Sequence, residues 1–394
     1  MPDSNTPVMS AGMQYQLKIY FEGAQQKKPQ LPVAFEELEA RAMKEMAPEA
    51  FAYIAGGAGG ETTMHNNKEA FNRWRILPRM MGDVSARTTE VELFGTKLPH
   101  PVLLGPIGVL SIAHVDAEVG VAKAATALRL PQVVSTVSSR TMEEIAAVHK
   151  DNPHWFQLYW GRNNDFTRSL LTRAEKAGYS AIVVTLDTRV FAWRERDIQH
   201  AYLPFLYQLG LANYLSDPVF RSLLGDGAKD PMKVMMTFAA CFSNASTTWN
   251  DLKVIREMTH LPLIVKGIQH PDDARKAIDQ GVDGVIVSNH GGRQCDGAVG
   301  SLDTLDGIVG AVGDKTTVLF DSGIRRGADV FKAMALGARS VLVARPYAYG
   351  LALGGAQGVQ EVMMNLLADT ELTLGLAGCS SWKEATRDRL EYWR

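Results

Sequence analysis

The sequence predicts an α/β chain closed into a single (β/α)8 (TIM) barrel. Three observations carry that expectation. Eight short apolar or β-branched runs recur along the chain. The stretches between them read as amphipathic or alanine-rich helices, and most runs end in polar or glycine residues. Apolar runs alternating with helices imply βαβ units and a parallel sheet. Eight of them imply closure. An open doubly wound sheet competes, but it asks for a glycine fingerprint after its first strand, which Gly105-Pro106-Ile107-Gly108 does not supply.

With 394 residues, 46% hydrophobic and 21% charged, the chain can bury a large core and is not generally disordered. Its 41 Lys and Arg nearly balance 43 Asp and Glu, so there is no bulk electrostatic reason to bind nucleic acid. No stretch approaches the length of a membrane-spanning helix. The polar segment Met1 to Gln30 lacks the order of a secretory signal, so a soluble cytoplasmic protein is expected. Cys241, Cys295 and Cys379 show neither metal-ligand spacing nor a disulfide framework, so no metal is expected.

Residues 1–30 read as a weakly ordered N-terminal arm, and residues 31–394 as one barrel domain. Phe35, Leu38, Ala42 and Met46 recur at helical spacing from Pro32 to about Gly56, before Gly56-Gly57 and Gly59-Gly60 break the chain. Residues 87–98 alternate like a hairpin. The eight strand runs follow. They are Pro101–Pro106, Pro131–Thr136, Trp155–Trp160, Ala181–Asp187, Pro262–Gly267, Gly284–His290, Thr317–Gly323 and Ser340–Arg345. Ala117–Leu128 and Pro271–Gln280 stand out among the helices. Between the fourth and fifth strands lies an insertion, about 195–250, rich in aromatic residues. Its stretch Leu203–Phe220 is a candidate lid; packing against a second subunit or touching a membrane are the other readings.

A barrel of this kind builds its site at the C-terminal ends of its strands. There the sequence places Pro106, Ile107 and Gly108, then Ser135, Gln157 with Tyr159, Thr185 with Asp187, and Lys266. Ser288-Asn289-His290-Gly291-Gly292-Arg293, Asp321-Ser322-Gly323 with Arg325, and Ala344-Arg345 complete the set. One such residue is an ordinary turn or cap. Eight ends in register are costly unless a polar ligand satisfies them.

Two sub-sites separate by chemistry. Asp321, Gly323, Arg325, Ala344 and Arg345 follow the seventh and eighth strands, where these barrels hold phosphate. Ser135, Gln157, Thr185 and Lys266 suit the polar edge of a flat heterocycle, and the two together fit flavin mononucleotide (FMN). Arg194 and Arg293 can clamp a carboxylate, and Tyr53 and Tyr159 can donate phenolic hydrogen bonds. His290 is a candidate general base, with Asp187 to hold its ring.

These residues resemble the FMN-dependent 2-hydroxy-acid oxidoreductases, the family that includes glycolate oxidase and lactate oxidase. The similarity runs from about Ala34 to the C-terminus. Ser288-Asn289-His290-Gly291-Gly292-Arg293-Gln294 is its most specific piece; Phe156–Tyr159, Thr185–Thr188, Val265–Gly267 and Asp321–Gly327 follow the expected order. The resemblance implies that His290 takes a proton from substrate and that Arg293 and Arg194 bind its carboxylate, with Tyr53 and Tyr159 touching it. Lys266 would favour the reduced anionic flavin. Ser135, Gln157 and Thr185 would bind the ring, and Asp321, Arg325 and Arg345 the ribityl-phosphate end. It also implies homotetramers or homo-octamers.

Three positions depart from the family's usual pattern. Ala344-Arg345-Pro346 replaces Gly-Arg-Pro, and Asp321-Ser322-Gly323 replaces Asp-Gly-Gly, which a small side chain should tolerate. Gly108 stands where the family's oxidases usually carry Ala and its lactate 2-monooxygenase branch carries Gly. The insertion also resembles that branch. The implied reaction is L-lactate plus dioxygen to acetate, carbon dioxide and water, the oxo acid staying caged with peroxide. A peroxide-releasing oxidase and a quinone-linked dehydrogenase are the alternatives.

Overall fold

The computed structural model describes residues 9–393. Each expected run holds a strand: β1 Val102–Leu104, β2 Gln132–Ser135, β3 His154–Leu158, β4 Ile182–Thr185, β5 Leu263–Ile268, β6 Gly284–Val287, β7 Thr317–Asp321 and β8 Val341–Val343. They pair in parallel in chain order. Val341 of β8 lies opposite Val102 of β1, so the sheet closes and the doubly wound alternative falls away.

Successive side chains on a strand point to opposite faces. Val102, Val134, Phe156, Val184, Val265, Val287, Phe320 and Val343 accordingly join the core beneath the helices. Leu103, Val133, Trp155, Val183, Ile264, Ile286, Leu319 and Leu342 fill the barrel instead. The expected hairpin forms from Val91–Leu93 and Thr96–Leu98, and Leu93 and Leu98 bury against the barrel's interior core. Phe94 reaches Trp155 near the start of β3, so the hairpin plugs the N-terminal end of the barrel.

Three expectations change. The stretch 32–56 is two helices, Phe35–Glu45 and Pro48–Ala55, because Pro48 lacks an N–H and opens a new helix. The described part of the arm is not a tail, since residues Ala11–Ala24 form a helix. Ser10 caps it, and Ser10 Oγ and Gly12 N both donate to Glu371 Oε2 on the long C-terminal helix Arg345–Leu376 (2.9 and 3.1 Å). Its order comes from that contact rather than from an apolar stripe of its own. Residues 1–8 of the arm lie outside the described residues.

The third change concerns Leu203–Phe220, which does not close over the mouth. Phe205, Tyr214 and Phe220 are buried. Tyr214 packs 5.0 Å from Phe166 on the helix after β3 and 4.9 Å from Phe238 of the helix Pro231–Phe242. Asn213 donates to Thr136 O (3.1 Å) and Ser138 Oγ (2.9 Å) and accepts from Met142 N (2.8 Å). This stretch is a buttress for the exit of β2. The segment bordering the mouth is 188–202, with Val190, Phe191 and Trp193 exposed. Among the described residues, no helix is long and apolar enough to cross a membrane.

Candidate active site

The alternation that fills the barrel with aliphatic side chains continues one step further. Two residues beyond that layer, the strands present Gly105, Ser135, Gln157, Thr185, Lys266, Ser288, Asp321 and Ala344 toward the mouth. The polar members hydrogen-bond around the rim. Ser135 Oγ donates to Gln157 Oε1 (3.1 Å), and Gln157 Nε2 donates to Thr185 Oγ1 (2.9 Å). Lys266 Nζ lies 3.4 Å from Asp321 Oδ2. Burial pushes the Lys266 ammonium down, but Asp321 and Asp187 outweigh it and keep its pKa above the ordinary value. A fixed cation therefore sits at the centre of the mouth.

The cavity above this layer is lined by Pro106, Ile107, Gly108, Lys266, Asp321, Gly323, Arg325, Ala344 and Arg345, and by Tyr53, Tyr159, Arg194, His290 and Arg293. Ser135, Gln157 and Thr185 lie buried beside it. Ser288, expected among the cofactor-binding residues, also shapes the turn, since its Oγ accepts from His290 N (3.0 Å). Two expected phosphate-end residues, both lining the cavity, also make contacts within the protein. Asp321 pairs with Lys266, and Arg345 donates to the carbonyls of Ile54, Gly56 and Gly291. Arg345 thus staples the end of the helix Pro48–Ala55 to the His290 loop. Among the described residues Arg325 has no acid partner: it is half-buried, its Nη1 donates only to the Ile324 carbonyl (2.8 Å), its Nε is buried without a partner, and burial with the nearby Arg345 pushes its guanidinium down to about 10. A half-buried cation with no counter-charge suits an anion.

His290 stands at φ +59°, followed by Gly291 at +65° and Gly292 at +77°. A run of left-handed residues is costly and needs support. Ser322 Oγ accepts from Gly291 N (3.0 Å), and Asn289 Oδ1 accepts from Gly292 N (3.1 Å). Asn289 is fixed in turn by a reciprocal amide pair with Asn67 (2.9 and 2.7 Å). Gly292 has no room for a side chain, since a Cβ there would meet Met64 N at 2.6 Å. Ser322 is more than a tolerated replacement for glycine. It sits at φ +87°, and its hydroxyl donates to Asp321 Oδ1 (2.7 Å) while holding Gly291.

The turn aims His290 Nδ1 at Asp187 Oδ1, 2.8 Å away, and Thr188 Oγ1 donates to the same oxygen (3.0 Å). Burial pushes the Asp187 carboxyl up, but His290 and Lys266 outweigh it and hold it at about 2. Burial, aided by Lys266, keeps the imidazole below its ordinary value against the pull of Asp187. The ring is therefore neutral at neutral pH. With Nδ1–H given to Asp187, Nε2 is left as the bare acceptor.

Beside it lie two half-buried guanidinium groups. Arg293 Nη1 donates to Tyr53 O and Gly56 O, both at 2.7 Å. Arg194 donates to Arg293 O (3.1 Å) and Gln294 Oε1 (2.9 Å). Asp197 lies 4.0 Å from Arg194, and among the described residues no carboxylate pairs with Arg293. Burial, Arg194 and Arg345 push Arg293 down to about 9. Burial keeps both phenols, Tyr53 and Tyr159, above their ordinary value, so each remains an O–H donor. A neutral base, two cations and two hydroxyl donors around one space are the groups that a carboxylate with an adjacent hydroxyl would need.

Glu118, Thr188, Ser322, Asn289 and Gln294 were given no role by the sequence reading. Glu118 is buried, and its Oε1 accepts from Leu110 N (3.1 Å) and Ser139 N (3.0 Å), tying the exits of β1 and β2 together. Its Oε2 is buried without a partner, and burial lifts its carboxyl to about 7 against those hydrogen bonds. A raised acid pKa makes the folded state hold its proton longer, so stability falls as pH rises from the unfolded value toward 7. Relative to Glu118→Gln, the parent should lose about 2–3 kcal/mol between pH 5 and pH 8. Melting both FMN-saturated proteins at the two pH values checks this, and parallel behaviour would contradict it.

A closed parallel barrel whose mouth joins a heterocycle edge, an anion-seeking arginine and a base beside a carboxylate clamp defines a class: flavin enzymes that oxidise hydroxy acids. Comparison with known proteins agrees. Residues 42–392 match the family model described as FMN-dependent dehydrogenase. The chain is 42% identical over 379 residues to an FMN-dependent alpha-hydroxy acid dehydrogenase of Penicillium citrinum, covering 95% of this chain and 94% of that one. It is 41% identical over 350 residues to an L-lactate oxidase of Lysinibacillus sphaericus, covering 89% and 90%. The crystal structure of mandelate oxidase superposes with a TM-score of 0.80 at 39% identity, over 91% of this chain and 98% of that one. The chain belongs to the FMN-dependent dehydrogenase family. Its chemistry is FMN-dependent oxidation of a 2-hydroxy acid.

Proposed function

We propose that the substrate is a small L-2-hydroxy acid, L-lactate first, and that the chain acts as a lactate 2-monooxygenase giving acetate, carbon dioxide and water. Arg293 and Arg194 bind the carboxylate, and Tyr53 and Tyr159 donate to the bound acid. His290 Nε2 takes the proton of the 2-hydroxyl, and Asp187 stabilises the imidazolium that results. FMN, held by Lys266 and the Ser135–Gln157–Thr185 chain with Arg325 at its phosphate, supplies the two-electron chemistry.

The monooxygenase reading rests on Gly108. A Cβ there would lie 2.5 Å from Val137 Cγ2 and 2.7 Å from the Val137 carbonyl oxygen. The exit of β2 is thus closed down on Gly108, and the Asn213 buttress holds it there. A tight wall suits an enzyme that keeps its oxo acid until a second step is complete. The peroxide-releasing oxidase is the second reading, favoured by the relative named L-lactate oxidase at 41% identity. The decisive measurement has two parts. L-lactate without oxygen should bleach the yellow protein, and turnover in air should then yield acetate and carbon dioxide. Stoichiometric pyruvate and peroxide would sink the monooxygenase reading. In Gly108→Ala, which forces Val137 aside, the products should shift toward pyruvate and peroxide.

A further inference from the structure

Two loops carry the acid-handling side chains: the exit of β4 supplies Asp187 and Arg194, and the exit of β6 supplies His290 and Arg293. One side chain bridges them. Gln294 Nε2 donates to the backbone carbonyl of Asp187 (2.8 Å), and its Oε1 accepts from Arg194 Nη2 (2.9 Å). The same arginine's Nε donates to the backbone carbonyl of Arg293, next to Gln294 in the chain (3.1 Å). Gln294 therefore touches the residue that orients the base and one arm of the clamp at once.

Only an amide does both jobs, because its donor and acceptor share one plane. A carboxylate here has no donor for the Asp187 carbonyl, and a thioether of similar length makes neither strong bond. The charge matters as much as the shape. A guanidinium held by a neutral oxygen keeps its full charge for a ligand, whereas one held by a carboxylate is already neutralised. Around Arg194 the other acceptor, Arg293 O, is also neutral, and the nearest acid, Asp197, stands off at 4.0 Å.

We infer that Gln294 is a positioning residue that aims Arg194 at the substrate carboxylate while leaving its charge unspent, and that locks the Asp187 loop to the His290 loop. The inference rests on the hydroxy-acid reading above. It goes beyond that reading by assigning affinity to a side chain that need not touch the ligand.

The test uses the FMN-loaded protein and oxalate, a dianion that cannot be oxidised by loss of a C–H bond. Its binding is read from the flavin spectrum across pH 5 to 8. Gln294→Met should weaken oxalate roughly tenfold at every pH, the scale of one charge-assisted hydrogen bond. Gln294→Glu should weaken it by at least as much at pH 8. Because the paired guanidinium keeps the new carboxyl ionised, the defect should stay at least as large as that of Gln294→Met down to pH 5, an ordering set by charge that a purely structural role does not produce. For L-lactate, KM should rise more than kcat falls. FMN content and melting temperature are measured in parallel. If both variants bind oxalate within twofold of the parent, the inference is overturned. It is equally overturned if affinity falls only in step with lost FMN or lost stability, or if Gln294→Glu binds oxalate better than Gln294→Met. If the parent itself binds no oxalate and is not bleached by L-lactate, the hydroxy-acid reading has failed instead.

Discussion

Replacing His290 with glutamine should leave the protein yellow and folded while L-lactate no longer bleaches it. Glutamine keeps a polar side chain facing Asp187 but has no nitrogen able to take a proton. The scale of the loss is that of a positioned general base, about 10²–10⁴ in the rate of bleaching. The fold should tolerate the change, because the turn is held by Ser288, Asn289 and Ser322 through its backbone and not by the imidazole. The parent's pH profile carries a second expectation. The base works only when unprotonated, and burial with Lys266 holds its pKa below 6.5. Activity should thus survive into mildly acid solution, and kcat/KM should fall only as pH drops through that lowered value. The acid limb should vanish in His290→Gln. Bleaching at the parental rate would remove His290 from the role of base. A limb centred above 6.5 would show that Asp187, not burial, governs its protonation.

The strands were legible because burial on both faces leaves an unbroken apolar run, and each run then meets a polar residue at the mouth. Period-two geometry does the rest: once Ile264 and Leu319 point inward, Lys266 and Asp321 must as well. What stayed hidden depends on contacts between distant parts of the chain. Asn67 and Asn289 are 222 residues apart, and nothing local to either announces their amide pair. For Arg345, sequence shows only a charge suited to phosphate; its bonds to the Ile54 and Gly56 carbonyls, some 290 residues earlier, have no local signal. The aromatic stretch 203–220 has one composition whether it covers a mouth or packs on a helix, so its role as a buttress could not be read from residue types. Glu118 has an ordinary helical neighbourhood in sequence, and only burial makes its carboxyl unusual. The helix Ala11–Ala24 is polar enough to pass for a tail until Glu371 is brought to its first turn.

Arg293→Met should reduce kcat/KM for L-lactate by roughly thirtyfold to several thousandfold, the range for removing one partner of a buried, hydrogen-bonded ion pair (about 2–5 kcal/mol). Arg293 is surrounded by like charge from Arg194 and Arg345 and has no acid of its own, so an arriving carboxylate relieves an electrostatic cost already present in the empty site. That makes its contribution larger than that of an exposed arginine. Lysine should not rescue it. The Nη1 group of Arg293 already holds the carbonyls of Tyr53 and Gly56, and the rest of the fork is what remains for the ligand. One ammonium cannot hold both carbonyls and also present two parallel donors to a carboxylate. In Arg293→Lys the Tyr53 segment should loosen along with the clamp, so KM should rise and kcat should fall together. In Arg293→Met, added guanidinium should restore part of the rate by filling the vacated space. Steady-state kinetics with and without guanidinium measure all three effects. Parental kcat/KM in the lysine variant would mean that charge alone binds the acid and that the fork geometry argued here is irrelevant.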